Sequence, residues 1–305
     1  MKLDVRGEIC PYPMLMAVEA MKKLPEGEVL EVLTDHAPAL ESIPVQATRR
    51  GFEVKIEKIG DPEWRILIFK GEPRIAGGSG ENVLASVGVA GLQALSPKEA
   101  WALVAEGATV VDVRHPAEYG ALHVRDSISL IISSKKAVEA AAGLSPLKGP
   151  LIILAKHSGQ IEKTVAAVKE AGQVSLLGYI EGGIEAWRME GLPTAELKSL
   201  SIEELKARLD SGSEDFVLLD IRLPQEWELM RIPAAKFIPL SELEGRLNEL
   251  DKDKAIATFC DLGFRSATAA SVLARHGFTR LFNVIEGMTG WLKAGLPVVE
   301  GGNAT

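Results

Sequence analysis

Apolar positions along residues 1–70 change period repeatedly, alternating the twofold spacing of a strand with helical spacing. Leu3 to Arg6 reads as a first strand. Cys10-Pro11-Tyr12-Pro13 opens a helix with Met14, Ala17, Val18, Met21 and Leu24 on its apolar side, because proline is tolerated in a first turn whose N–H groups have no partner to lose. Glu28 to Thr34 predicts a second strand, Pro38 to Arg50 a second helix ended by Gly51, and Phe52 to Ile59 and Trp64 to Lys70 two further strands. The order βαβαββ predicts a two-layer α+β sandwich. Residues 71–94 break the pattern: Gly71, Pro73, Gly77, Gly78, Ser79 and Gly80 read as linker, although Val83 to Leu95 is apolar.

From Leu95 onward the chain repeats itself. Leu95-Ser96-Pro97-Lys98-Glu99 is echoed by Leu200-Ser201-Ile202-Glu203-Glu204, Val111-Asp112-Val113-Arg114 by Leu219-Asp220-Ile221-Arg222, and Trp187 with Gly191-Leu192-Pro193 by Trp291 with Gly295-Leu296-Pro297. An offset of about 105 residues means two copies of one domain, 95–197 and 198–300. Apolar strands (Thr109 to Val113, Leu151 to Leu154; Phe216 to Ile221, Ala255 to Phe259) alternate with helical segments in each copy. That is the pattern of an α/β domain with a parallel central sheet covered on both faces.

Composition narrows the function. The net charge of −8 over 305 residues argues against nucleic acid as the main partner, since phosphate binding needs a basic surface. Acidic and basic residues at the N-terminus, where a signal peptide has an apolar core, and the lack of any long apolar run point to a cytoplasmic protein without a membrane partner. Two cysteines and no Cys/His cluster predict neither a disulfide scaffold nor a metal site, and no cofactor motif is present.

The placement of those cysteines carries the chemistry. Cys260 stands where the strand Ala255 to Phe259 ends and a helical pattern through Ala267, Ala270, Val272, Leu273 and Ala274 begins, closing at Gly277. Gly263 allows a tight loop, the amides of Asp261, Leu262, Gly263, Phe264, Arg265 and Ser266 can turn toward the sulfur, and Arg265 adds a fixed positive charge. Such a cradle favours a thiolate or a persulfide built on it. The competing reading makes Cys260 one more buried small hydrophobe. Cys10 likewise precedes a helix, with Pro11 and Pro13 fixing its loop. In the first copy Ala155 falls opposite Cys260 and Gln160 opposite Arg265, so that loop lacks a nucleophile. Its adjacent His157 and Ser158 have no acid placed to complete a triad.

Residues 3–13, Leu-Asp-Val-Arg-Gly-Glu-Ile-Cys-Pro-Tyr-Pro, together with Asp35 and Ile43-Pro44, resemble the TusA/SirA sulfur-carrier family. The resemblance implies that Cys10 carries a persulfide, while Tyr12 stands where that family often has an acid. Both later copies resemble the rhodanese domain, through Asp220-Ile221-Arg222, Glu226-Trp227, the Cys-x-x-Gly-x-Arg loop at Cys260 and Gly287 to Trp291. Met230 to Ala235 departs from the family's Gly-His-Ile-Pro-Gly-Ala. The resemblance implies a sulfurtransferase whose Cys260 takes sulfur from a small sulfane-sulfur donor and passes it to Cys10 and onward to a thiol or protein acceptor, with Asp220 and Arg222 as supports. Two other readings stand beside it. An arsenate-reductase or phosphatase loop needs one more residue between cysteine and arginine, and a thiol redox sensor pairing Cys10 with Cys260 stays open.

Overall fold

A computed structural model of the chain describes residues 1–8, 10–25, 27–60, 62–69, 92–132, 138, 144–172 and 175–301. The expected linker lies outside them except for residues 92–94. The chain divides into two compact units, Met1–Val87 and Gly88–Thr305. No helix among the described residues is long and apolar enough to cross a membrane.

In the first unit the elements are β1 (Lys2–Asp4), α1 (Tyr12–Lys22), β2 (Val29–Thr34), α2 (Ala39–Arg49), β3 (Glu53–Lys58) and β4 (Trp64–Phe69). The sheet order is β1-β2-β4-β3, with β1 parallel to β2 and β4 antiparallel to both its neighbours. Leu30 and Val32 on β2, and Ile66 and Ile68 on β4, are fully buried alternate residues, so each strand turns one side to the core. Ala17, Val18 and Met21 on α1 and Ile43 and Ala47 on α2 are buried at helical spacing. This is the predicted two-layer sandwich.

The second unit contains the duplication. Its first half holds β5 (Ala94–Leu95), α3 (Pro97–Ala105), β6 (Thr109–Asp112), α4 (Pro116–Ala121), β7 (His123–Val124), β8 (Ile128–Ser129), β9 (Leu151–Leu154), α5 (Ser158–Ala171), β10 (Leu176–Ile180), α6 (Gly183–Met189) and β11 (Thr194–Ala195). The second half repeats them as β12 (Lys198–Leu200), α7 (Ile202–Asp210), β13 (Phe216–Asp220), α8 (Pro224–Leu229), β14 (Met230–Arg231), β15 (Lys236–Phe237), β16 (Ala255–Phe259), α9 (Phe264–Arg275), β17 (Leu281–Val284), α10 (Gly287–Lys293) and β18 (Val299–Glu300). The two five-stranded sheets are parallel and share one order, β5-β10-β9-β6-β8 and β12-β17-β16-β13-β15. Ser96 with Glu99 and Ser201 with Glu204 form matching capping boxes at the starts of α3 and α7.

Three strands end sooner than their apolar runs, and for one reason. In Asp4-Val5-Arg6, Asp112-Val113-Arg114 and Asp220-Ile221-Arg222 the aspartate Oδ1 accepts from the arginine backbone N–H, at 3.1, 3.1 and 3.0 Å, and from its Nε, at 2.9 Å each time. A side chain that takes the backbone donor two residues on pulls the chain out of the ladder. In the duplicated unit the arginine then donates to Leu122 O (2.7 Å) or Met230 O (2.9 Å), tying each strand end to the residues after the following helix.

The two copies share one apolar cluster, in which Val111, Ile128, Ile153 and Ile161 join Leu219, Ile256, Cys260 and Val272. Strand β8 closes one edge of the first sheet, and α9 of the second copy lies along it. Ser129 N–H donates to Ser271 Oγ (3.3 Å), and Thr268 Oγ1 donates to Ser129 O (2.6 Å).

His123 on β7 is buried and stacks on Tyr119 with ring centroids 3.8 Å apart, its Nδ1–H donating to Tyr119 O at 2.8 Å. Burial pushes its pKa down from 6.5 to about 4. Between those values the unfolded chain binds a proton that the folded chain refuses, so stability is lost as pH falls through that window. The loss reaches about 3 kcal/mol at the low end. Urea unfolding at neutral pH and near pH 5 should show His123→Gln losing about 1–2 kcal/mol less than the parent on acidification; an unchanged pH slope would remove His123 as the cause.

Candidate functional site

The Cys260 loop is held between two helix starts. Strand β16 is buried along its whole length and delivers Cys260 to its end, and α9 begins four residues later at Phe264. Gly263 turns the chain at φ +82°, and a Cβ there would lie 2.6 Å from Ile285 Cα, so no side chain fits. The carbonyls of Cys260 and Asp261 accept from the amides of Met288 (2.8 Å) and Thr289 (3.1 Å) in the first turn of α10. Gly287, at φ +52°, lets those strands of backbone meet, since a Cβ on it would come within 2.4 Å of Asp261 O. Gly263 N–H donates to Cys260 Sγ at 3.2 Å, and Ser266 Oγ stands 3.4 Å from the same sulfur. Cys260 is 1% exposed, while Leu262 and Phe264 are half-buried on either side of Gly263.

The charges are arranged differently from the sequence-based expectation. Arg265 does not stand as an uncompensated cation at the loop mouth: its guanidinium is held by both oxygens of Glu226, at 2.5 and 2.8 Å. Glu226 itself is 1% exposed and also accepts from Leu223 N–H at the start of α8. Burial pushes its carboxyl up, but Arg265, Arg222 and the Leu223 amide outweigh that and hold it below the ordinary glutamate value. The Asp261 carboxyl turns inward, accepting from Thr289 Oγ1 at 2.9 Å, so it does not line the loop's outer surface. Burial, with Glu226 adding to it, raises its pKa. Asp220 and Arg222 form a buried pair, 2.6 Å apart at the closest.

Arg265→Ala removes the two guanidinium hydrogen bonds from a buried carboxylate and leaves Arg222 as the remaining cation near it, a change that typically costs about 3 kcal/mol. Removing Glu226 as well should recover part of that loss in urea unfolding, as expected for coupled neighbours. A single variant as stable as the parent would mean that the pair contributes nothing.

Several contributors were not read from the sequence. Asn283 on β17 accepts from Ser266 Oγ (2.6 Å) and donates from Nδ2 to Gly263 O (3.1 Å), completing a chain of contacts to the sulfur. Thr258 Oγ1 bonds Ser266 O at 2.9 Å. Glu226 appears in the sequence only as half of a Glu-Trp pair, without a partner to give it a role. In the first unit the Cys10 amide donates to His36 Nε2 at 3.2 Å, a contact across 26 residues. Pro11 and Pro13 are buried there, Cys10 is half-buried, and Tyr12 is 43% exposed on the outside of the same turn. Among the described residues no group of three or more His, Cys, Asp or Glu is placed to hold a metal ion.

Comparison with known proteins agrees with this division. Residues 1–70 match the family described as "Sulfurtransferase TusA", and residues 96–190 and 201–294 each match "Rhodanese-like domain". The putative sulfur carrier protein YrkF of Bacillus subtilis is 37% identical over 97 residues, 32% of this chain and 52% of that protein. A sulfurtransferase of Allochromatium vinosum is 34% identical over 103 residues, 34% of this chain and 95% of that protein. The crystal structure of a thiosulfate sulfurtransferase from Pseudomonas aeruginosa aligns with 69% of this chain and 44% of its own, at 21% identity and a TM-score of 0.31. The chain thus spans about half the length of the Bacillus relative. With its duplicated parallel sheets matched in both copies, the chain belongs to the rhodanese-like family, and it carries a TusA domain ahead of them.

Proposed function

We propose that the protein is a sulfurtransferase that accepts sulfane sulfur on Cys260 and relays it to Cys10. Residues 198–300 act as the loading domain, 95–197 as a silent copy and 1–70 as the carrier. The observation that carries this reading is the contrast between the two rhodanese-like copies: one sheet order and one set of supports, with a cradled cysteine in the second copy and Ala155 in the first.

The chemistry follows from the loop. Cys260 Sγ attacks the outer sulfur of a donor such as thiosulfate or a persulfide, a new S–S bond forms, and the donor's own bond to that sulfur breaks with its electron pair leaving on the donor. The resulting persulfide lies against Gly263 N–H and the start of α9, where backbone donors favour an anion. Arg265 then contributes by holding Glu226 and the loop in place. In the second half of the cycle Cys10 attacks the terminal sulfur, its thiol proton passes to Cys260, and Cys10 is left as the persulfide. Intact-mass measurement after incubation with thiosulfate, a low-molecular-weight persulfide or 3-mercaptopyruvate tests the reading, with one added sulfur expected on the Cys260 peptide. Loading by none of the three donors would refute it.

A further inference from the structure

The Asn283 amide fixes where the protons around Cys260 lie. Asn283 is 1% exposed and paired in register with Thr258. Its amide meets Gly263 O on one side, 3.1 Å from Nδ2, and Ser266 Oγ on the other, 2.6 Å from Oδ1. A backbone carbonyl only accepts, so the NH2 must face Gly263 and Oδ1 must face Ser266. Ser266 has a single hydroxyl hydrogen, and Oδ1 takes it. The remaining contact, 3.4 Å between Cys260 Sγ and Ser266 Oγ, then has the sulfur as donor. We infer that Asn283, acting through Ser266, is a positioning residue that keeps Cys260 a neutral S–H donor at rest, and that the Ser266 hydroxyl turns from Asn283 to the sulfur when the sulfur becomes anionic.

The silent copy serves as an internal control. Tyr179 pairs in register with Ile153 where Asn283 pairs with Thr258, which aligns the two sites residue by residue. Thr258, Cys260, Ser266 and Asn283 are answered there by Ile153, Ala155, Ile161 and Tyr179. The buried aspartate–arginine pair and the glutamate of the following helix are kept, as Asp112, Arg114 and Glu118. The first copy shares the groups that tie down the strand end and lacks both the cysteine and the hydrogen-bonded chain around it.

A neutral thiol has a consequence that rests on the proposed sulfur transfer. When Cys260–SH takes the outer sulfur of an anionic persulfide R–S–S⁻, the products are Cys260–S–S⁻ and R–SH, the thiol proton travelling to the leaving sulfur. Net charge is unchanged, and the Ser266 hydroxyl is then available to the new anion.

The test uses full-length chain carrying Cys10→Ser, so that Cys260 supplies the thiol signal, and it involves no sulfur donor. Failure here is therefore distinct from failure of the transferase reading. Thiolate ultraviolet absorbance is titrated against pH, as the difference from the chain lacking both cysteines. Asn283→Ala frees the Ser266 hydroxyl to donate to the sulfur and should lower the midpoint by about one pH unit, a roughly tenfold change in ionisation. Asn283→Asp retains an acceptor for Ser266, so its midpoint should stay at or above the parent's. With Ser266→Ala already present, Asn283→Ala should no longer move the midpoint. Among the described residues Asp261, Glu226, Arg265, Asp220 and Arg222 are coupled around the loop and the His115 ring packs on Phe264, and none of these is altered. The infrared S–H stretch of the Cys10→Ser chain at neutral pH should show a hydrogen-bonded donor, a reading that needs no Asn283 variant to fold. A thiolate in its place, an unmoved midpoint in Asn283→Ala, or a shift that persists without Ser266 would overturn the inference.

Discussion

Cys260→Ser should reduce sulfur loading to the background rate, a loss on the order of a thousandfold or more, because a hydroxyl cannot hold a sulfane sulfur as an anion at neutral pH. The substitution is nearly isosteric at a site that is 1% exposed, so the fold should remain. Its cost is that a more polar atom replaces sulfur beside the shared apolar cluster, about 1–2 kcal/mol. Initial rates with thiosulfate and a thiol or cyanide acceptor, compared with a thermal melt, separate the two effects. A well-folded variant that still transfers sulfur at a tenth of the parent rate or faster would move the nucleophile elsewhere.

A donor labelled in its outer sulfur should mark both cysteine peptides of the intact chain, and the Cys10 label should vanish in Cys260→Ser. In Cys10→Ser the label should accumulate at Cys260. Because the two thiols belong to one chain, their effective concentration is on the order of millimolar for a flexible connection. Transfer to Cys10 should therefore be independent of protein concentration in the parent. An equimolar mixture of the Cys10→Ser and Cys260→Ser chains must instead transfer between molecules, about 10²–10³-fold more slowly at micromolar protein, with a rate that rises with concentration. Equal labelling of Cys10 with and without Cys260 would make these two separate sulfur sites.

What the sequence disclosed and what it withheld follow from the range of the interactions. The strand Ala255–Phe259 and the helix after Gly263 were legible because an unbroken apolar run and a helical period are local signals. The duplication was legible because it repeats whole motifs. The early strand ends were hidden in plain view, since Asp-x-Arg looks like strand until the side chain is seen to take the backbone donor. The partner of Arg265 was hidden because Glu226 lies 39 residues away, and nothing local says that a helix-capping glutamate also turns toward the next loop. Asn283 gave no sign at all. One asparagine near the end of an apolar strand is ordinary, and its meaning comes from two partners brought to it by the parallel sheet.

Ser129 lies on the outermost strand of the first copy's sheet with both backbone groups already bonded by Ser271 and Thr268. A sheet edge occupied in this way offers no template for a strand from another molecule, which is how exposed edges lead to aggregation. A chain trimmed of its second half would uncover that edge and divide the common apolar cluster, while a chain trimmed of its first would leave Thr268 and Ser271 without their partner. The first copy therefore has a structural part whatever its chemistry: the second copy covers its sheet edge, and each half completes the apolar cluster of the other.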